Sequence, residues 1–159
     1  CAEQLGRNIP FQGTLAVHFR GLDKLKELEN PEQIEEIYEL YFHSVSAILK
    51  GEGMSQIYLM TDDTHALKRF TQQFGTKLFC TDSLRGLTND GIHYTEKGYR
   101  RGMEVLADAL IAMNCNAFIG NGLSNTSCFV HCAKQWNNKS LLLGGNMLKI
   151  INTVPFTRL

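Results

Sequence analysis

Ala117-Phe-Ile-Gly120-Asn-Gly122-Leu-Ser124 runs from an apolar stretch into a glycine turn and on to a helix start. A short apolar run bounded by turn residues reads as a buried strand, and the Ser and Thr residues that follow open a helix over about 124–136. The same strand-then-helix alternation extends outward in both directions. Thr14-Leu-Ala-Val-His-Phe-Arg20 is a β-rich run between Gly13 and Gly21, and Gln56-Ile-Tyr-Leu-Met60 is a second. Lys77-Leu-Phe-Cys80 and Ser140-Leu-Leu-Leu143 complete a set of about five strands. Between them lie apolar residues at helical spacing: 31–50, with Asn30 as N-cap and Pro31 in the first turn, then 64–74, stopped by Gly75, and 99–113. Alternating strands and helices predict an α/β fold with right-handed crossovers and a parallel sheet. The expected architecture is a Rossmann-like, doubly wound, three-layer αβα domain of order 3-2-1-4-5.

In that order the first and fourth strands are neighbours. The loops leaving their carboxyl ends form the crevice where such sheets bind ligands. Those loops are Arg20-Gly-Leu-Asp23-Lys24 and Gly120-Asn-Gly-Leu-Ser-Asn125. A helix start offers N–H groups and a positive dipole end to an anion, and an Arg can clamp a phosphate through two parallel bonds. Each feature has a plainer reading as well. The glycines serve turn chemistry, Arg20 and Asp23 pair on a solvated loop, and His18 is a satisfied core histidine. Asp62-Asp63 either caps the next helix or binds Mg²⁺, and the cap is favoured because two adjacent carboxylates rarely hold a metal unaided. The fingerprint of a dinucleotide site is incomplete, because Asn125 stands where a third glycine belongs. No phosphate loop of the Gly-x-x-x-x-Gly-Lys-Ser/Thr type occurs. Residues 81–96, rich in Thr, Asp, Ser, Asn and Gly, read as a long functional or mobile loop. The tail from Asn146 to Leu159 has no readable pattern.

The 159 residues hold 16 Lys+Arg against 16 Asp+Glu, with 43% hydrophobic and 20% charged residues. That balance argues against disorder, and against general nucleic-acid or polybasic membrane binding, which need a cationic face. No run approaches the ~20 apolar residues of a membrane span. Five cysteines include no C-x-x-C pair, so zinc and redox-pair readings are weak and most are expected to be buried small hydrophobes. A reducing, cytoplasmic setting fits best, with a secretory-pathway lumen as the alternative. Asn125-Thr-Ser127 and Asn138-Lys-Ser140 match the glycosylation sequon, and a glycan on the first would block the crevice.

His18-Phe-Arg20-Gly-Leu-Asp23-Lys24 resembles the HxRxxDK motif of the α1,6-fucosyltransferase and NodZ-like glycosyltransferases, relatives of the protein O-fucosyltransferases. Ile57-Tyr-Leu-Met-Thr61-Asp62-Asp63 is similar to that family's strand ending in Thr-Asp-Asp. The segment from Asp108 to Ser127 is similar to its Asp, apolar strand and Ser-rich turn. The three blocks fall in the family's order and span residues 14–136. The resemblance implies the carboxyl-terminal, GDP-sugar-binding half of a GT-B glycosyltransferase. It would transfer fucose from GDP-fucose, or another sugar from its GDP conjugate, with inversion and without a metal or further cofactor. Residues 1–159 would then be one domain of a longer chain, or a fragment, lacking the amino-terminal domain that binds a glycan or glycoconjugate acceptor.

By the same resemblance Arg20 would contact the β-phosphate, His18 would hold its loop, and Asp23 and Lys24 would complete the motif. Glu27 is a candidate catalytic base. Asp62 and Asp63 would shape the rim near the sugar, and Asp108 would accept hydrogen bonds from guanine. Gly122, Ser124 and Asn125 would meet the diphosphate. An unbroken helix from Tyr99 would set Asp108 ~14 Å from its start, away from the crevice, so a break near Gly102 is expected. The rival readings are a nucleotide-binding module without catalysis and an interaction domain with vestigial motifs.

Overall fold

The computed structural model describes residues 11–21, 31–86, 98–137 and 139–143. Asp23, Lys24, Glu27, the Asn30 cap, most of the 81–96 loop and the tail lie outside them. Strands β1 (Thr14–His18), β2 (Gln56–Met60), β3 (Leu78–Phe79), β4 (Ala117–Asn121) and β5 (Ser140–Leu143) form one parallel sheet. Its order is β3-β2-β1-β4-β5, the predicted arrangement. Helices α1 (Pro31–Gly51), α2 (Thr64–Phe74), α3 (Gly98–Asn114) and α4 (Asn125–Cys132) connect or flank the strands.

Strand side chains alternate between the two faces. Leu15, Val17, Ile57, Leu59 and Ile119 point to one face, where α1 and α2 deliver Tyr38, Tyr41, Val45 and Phe70. Ala16, Tyr58, Met60 and Phe118 point to the other, under Ala109 and Ala112 of α3 and Val130 of α4. The same two-residue period places His18 on the α3/α4 face and Phe19 on the α1/α2 face. Phe19 stacks on Tyr38 at 4.8 Å and meets Tyr41 and Phe70 edge-on at 5.0 and 5.5 Å. That aromatic cluster anchors the backbone on which Arg20 stands.

Local chemistry ends several elements as the residues suggest. Asp63 caps α2 by accepting from His65 N–H at 2.7 Å, and Gly75 closes it at φ 56°. Asp63 is buried and packs directly against Gly21, where an added Cβ would lie 2.3 Å from the Asp63 Cβ. Only glycine leaves room for that approach.

Several features of the elements differ from expectation. β1 ends at His18 rather than Arg20. α4 ends at Cys132 rather than 136, because Trp136 folds back on it. The indole N–H donates to the terminal carbonyls of Val130 and His131 at 3.2 and 3.1 Å, while the ring stacks on Phe118. Helix α3 runs unbroken through Gly102. One side of α3 packs on the sheet, and another leaves Tyr99, Met103, Leu106 and Leu110 exposed. Of the cysteines described, Cys115 is buried, Cys80 and Cys128 are half-buried, and Cys132 is exposed, all unbridged. No helix among the described residues is long and apolar enough to cross a membrane.

Candidate functional site

Two cavities open at the carboxyl edge of the sheet, and Arg20 and Thr126 line both. The larger, about 440 Å³, reaches from His18, Arg20 and Asp62 down one side of α3 to Asp108. The smaller, about 230 Å³, lies between Arg20 and the start of α4. Topology thus brings the β1 exit and the β4–α4 turn to one cleft, with open space between guanidinium and helix start.

Arg20 is steadied by Asp62, whose Oδ2 lies 4.0 Å from its Nε. Asp62 also accepts a long bond from Gly21 N–H at 3.4 Å. Its neighbour behaves otherwise. Asp63 lines neither cavity, so the expected pair of rim carboxylates reduces to Asp62, with Asp63 a buried cap. The physical reason is the two-residue alternation at the end of β2, which turns one carboxylate to the cleft and the other to the α2 N-terminus. Among the described residues no three His, Cys, Asp or Glu side chains converge as a metal site would need.

His18 is 8% exposed, and its Nδ1 lies 2.6 Å from Ser127 Oγ. The same hydroxyl accepts from Asn121 N–H at 2.9 Å. Ser127 Oγ thus joins the His18 ring to the β4 backbone. Burial lowers the His18 pKa to about 4, with Asp62 pulling upward and Arg20 downward. Tyr41 donates to the His18 carbonyl at 3.2 Å, so both side chain and backbone of this residue are held. The expected loop-holding role thus has a described partner on α4.

Gly120 makes the His18–Ser127 contact possible. A Cβ there would fall 2.7 Å from Ser127 Oγ and from the Phe118 ring. Gly120→Ala is expected to destabilise the fold by ~1–3 kcal/mol through overpacking. Chemical denaturation of the variant checks this, and an unchanged midpoint would contradict the packing.

The β4–α4 turn uses its amides unevenly. Gly122 N–H donates to the Leu143 carbonyl at 2.6 Å, and Leu123 N–H to Asn121 Oδ1 at 2.8 Å. Gly122 borders neither cavity, and its amide is committed to the β5 edge. The first-turn amides of a helix lack intrahelical partners, and those of Asn125 and Thr126 belong to residues that border the smaller cavity. Ser124, 5% exposed, occupies the N-cap but makes no cap bond, and its Oγ is buried without a hydrogen-bond partner among the described residues. A hydroxyl left this way at a helix start is available to an anion's oxygen.

Asp108 lines the deep end of the larger cavity although α3 is continuous. The cleft extends along the helix, past Gly98, Arg101, Gly102 and Val105, instead of stopping at its tip. Residues three and four apart share one helix face, which carries the wall down to Asp108. Tyr58 and Thr81 donate to Asp108 Oδ1 at 2.7 and 2.6 Å, and Ser83 Oγ lies 2.7 Å from Thr81 Oγ1 and 3.3 Å from Oδ2. These hydroxyl residues, with Ser127 and Thr126, were not singled out from the sequence. The available signal was that Tyr58 shares the strand face of Met60, and that Thr81 directly follows the third strand.

No protein-family model matches the chain, and a search of curated proteins also finds no match. Among solved structures it is similar to the crystal structure of NodZ alpha-1,6-fucosyltransferase co-crystallised with GDP, at 22% identity and a TM-score of 0.48. The likeness covers 76% of this chain and 36% of that one, so the chain spans little more than a third of that structure's length.

Proposed function

We propose that this chain is the nucleotide-sugar half of an inverting glycosyltransferase, binding a GDP-linked sugar, with GDP-fucose favoured. The observation that carries the reading is the position of Arg20, shared by a cavity at a helix start and a longer cavity ending in a buried carboxylate. A nucleoside diphosphate has the matching shape: two phosphates for the first compartment, a base for the second. Asp108 accepts from the N–H edge of guanine, while Ser124, Asn125 and Thr126 meet the diphosphate. The motif resemblance at His18–Lys24, 57–63 and 108–127 supports the same assignment.

In the proposed reaction an acceptor hydroxyl attacks the anomeric carbon from the face opposite GDP. The C1–O bond to the β-phosphate breaks, and the configuration inverts. Negative charge accumulates on the departing diphosphate, where Arg20 and the α4 amides are preorganised to receive it. The acceptor's proton passes to a base, for which Glu27, outside the described residues, is the candidate. Acceptor binding belongs to a further domain. The donor is a substrate, so the proposal requires no separate cofactor.

Calorimetric titration with GDP, UDP and ADP tests the assignment. GDP is expected to bind at least about tenfold tighter than either rival, the effect of one or two base-edge hydrogen bonds to a carboxylate. Equal affinity for all three would remove Asp108 from the base site. GDP binding with no sugar transfer, once the acceptor domain is supplied, would favour a non-catalytic nucleotide-binding module.

A further inference from the structure

We propose that Tyr58 and Thr81 are positioning residues whose hydroxyls clamp one oxygen of Asp108, leaving the other to select the base bound in the larger cavity. This rests on reading that cavity as a guanine-nucleotide site. Tyr58 and Thr81 both donate to Oδ1, at 2.7 and 2.6 Å, and these short bonds fix the rotation of the carboxylate. Among the described residues Oδ2 has only the longer Ser83 contact of 3.3 Å, and it retains acceptor capacity toward the cavity.

The clamp is built from three separate elements, so it is rigid in a way that a surface carboxylate is not. Tyr58 comes from the middle of β2, is fully buried, and packs its ring 5.4 Å from Phe79. Thr81 and Ser83 sit just beyond β3. Their carbonyls are held by Arg85, at 2.7 Å to Thr81 and 3.0 Å to Ser83. The same loop is tied to α3 itself, because Leu84 N–H donates to Glu104 one helical turn before Asp108. A carboxylate fixed on one oxygen presents a defined acceptor direction on the other. A base with a donor at that position gains the bond without reorganisation, and a base lacking the donor leaves a buried charge less well satisfied.

The test is calorimetric titration of the 159-residue chain with GDP, inosine diphosphate and ADP. Inosine diphosphate differs from GDP only by lacking the exocyclic amino group. The variants are Tyr58→Phe, Thr81→Val and Thr81→Ser. The wild type is expected to prefer GDP over inosine diphosphate by about tenfold. Tyr58→Phe and Thr81→Val should each reduce that ratio at least about threefold, while affinity for inosine diphosphate stays within about twofold. Thr81→Ser, which keeps the hydroxyl, should retain the wild-type ratio. A merely structural role would weaken all three nucleotides together and leave the ratio unmoved. Full retention of the ratio in both Tyr58→Phe and Thr81→Val overturns the clamp while leaving the guanine-nucleotide reading intact. A wild type with no preference for GDP over ADP overturns that reading, and the clamp's role in base selection with it. If Tyr58→Phe fails to fold, Thr81→Val against Thr81→Ser decides the question alone.

Discussion

If the proposed function holds, Arg20→Ala is expected to reduce sugar transfer by ~10²–10³-fold, the usual loss when one preorganised donor to developing charge is removed. The geometry gives the reason. Arg20 stands where the two cavities meet, on backbone fixed by the Phe19 aromatic cluster and beside Asp62, which restrains its guanidinium. Charge that builds on a leaving diphosphate there falls between this guanidinium and the first turn of α4. The side chain is not part of the packed core, so the variant should unfold at close to the wild-type denaturant concentration. Arg20→Lys separates charge from shape. It keeps the cation but loses the planar fork, so it should recover only part of the activity. Steady-state assays with both variants, alongside denaturation curves, are the measurement. Wild-type turnover in Arg20→Ala would remove Arg20 from the reaction.

Acid sensitivity is the second large effect. The folded chain holds the His18 pKa at about 4, against 6.5 for the unperturbed residue, chiefly because the ring is buried. Below pH 6.5 the unfolded chain therefore takes up a proton that the folded chain refuses until about pH 4. Stability must fall as the pH drops through this window, and the loss is complete below it. At 1.36 kcal/mol per pKa unit the full contribution is about 3 kcal/mol. Above pH 6.5 this residue adds no pH dependence. Carboxylates also titrate near the lower end, so the comparison is with His18→Asn, whose side-chain amide can pair with the Ser127 hydroxyl in place of Nδ1. Denaturation midpoints from pH 4 to 7 should decline less steeply in the variant, by about one proton's worth of slope. Parallel curves would show that His18 titrates normally in the folded chain.

The two predictions concern the last residue of β1 and a residue just beyond it, and they show how far a one-dimensional reading reaches. The strand at 14–18 is legible because apolar and β-branched residues run between two glycines. The order of the sheet follows from alternation and crossover handedness. From these alone, Arg20 and the Ser124 turn must share a crevice. The helix caps at Asp63 and Gly75 were legible too, because each depends on residues within four positions.

What the sequence determined by itself was therefore the α/β architecture and the edge of the sheet at which the two cavities open, since periodicity, turn residues and chain handedness act locally. The use of each polar group was decided by tertiary contact. His18 meets Ser127 across 109 residues, and Tyr58 meets Asp108 across 50. Gly122 gives its amide to Leu143, on another strand. Asp108 reaches the cleft without a helix break because the cavity follows the side of α3, a matter of how the helix lies on the sheet. Hydrogen-bond partners are chosen by distance in space, and spacing along the chain sets that distance only within a turn or two.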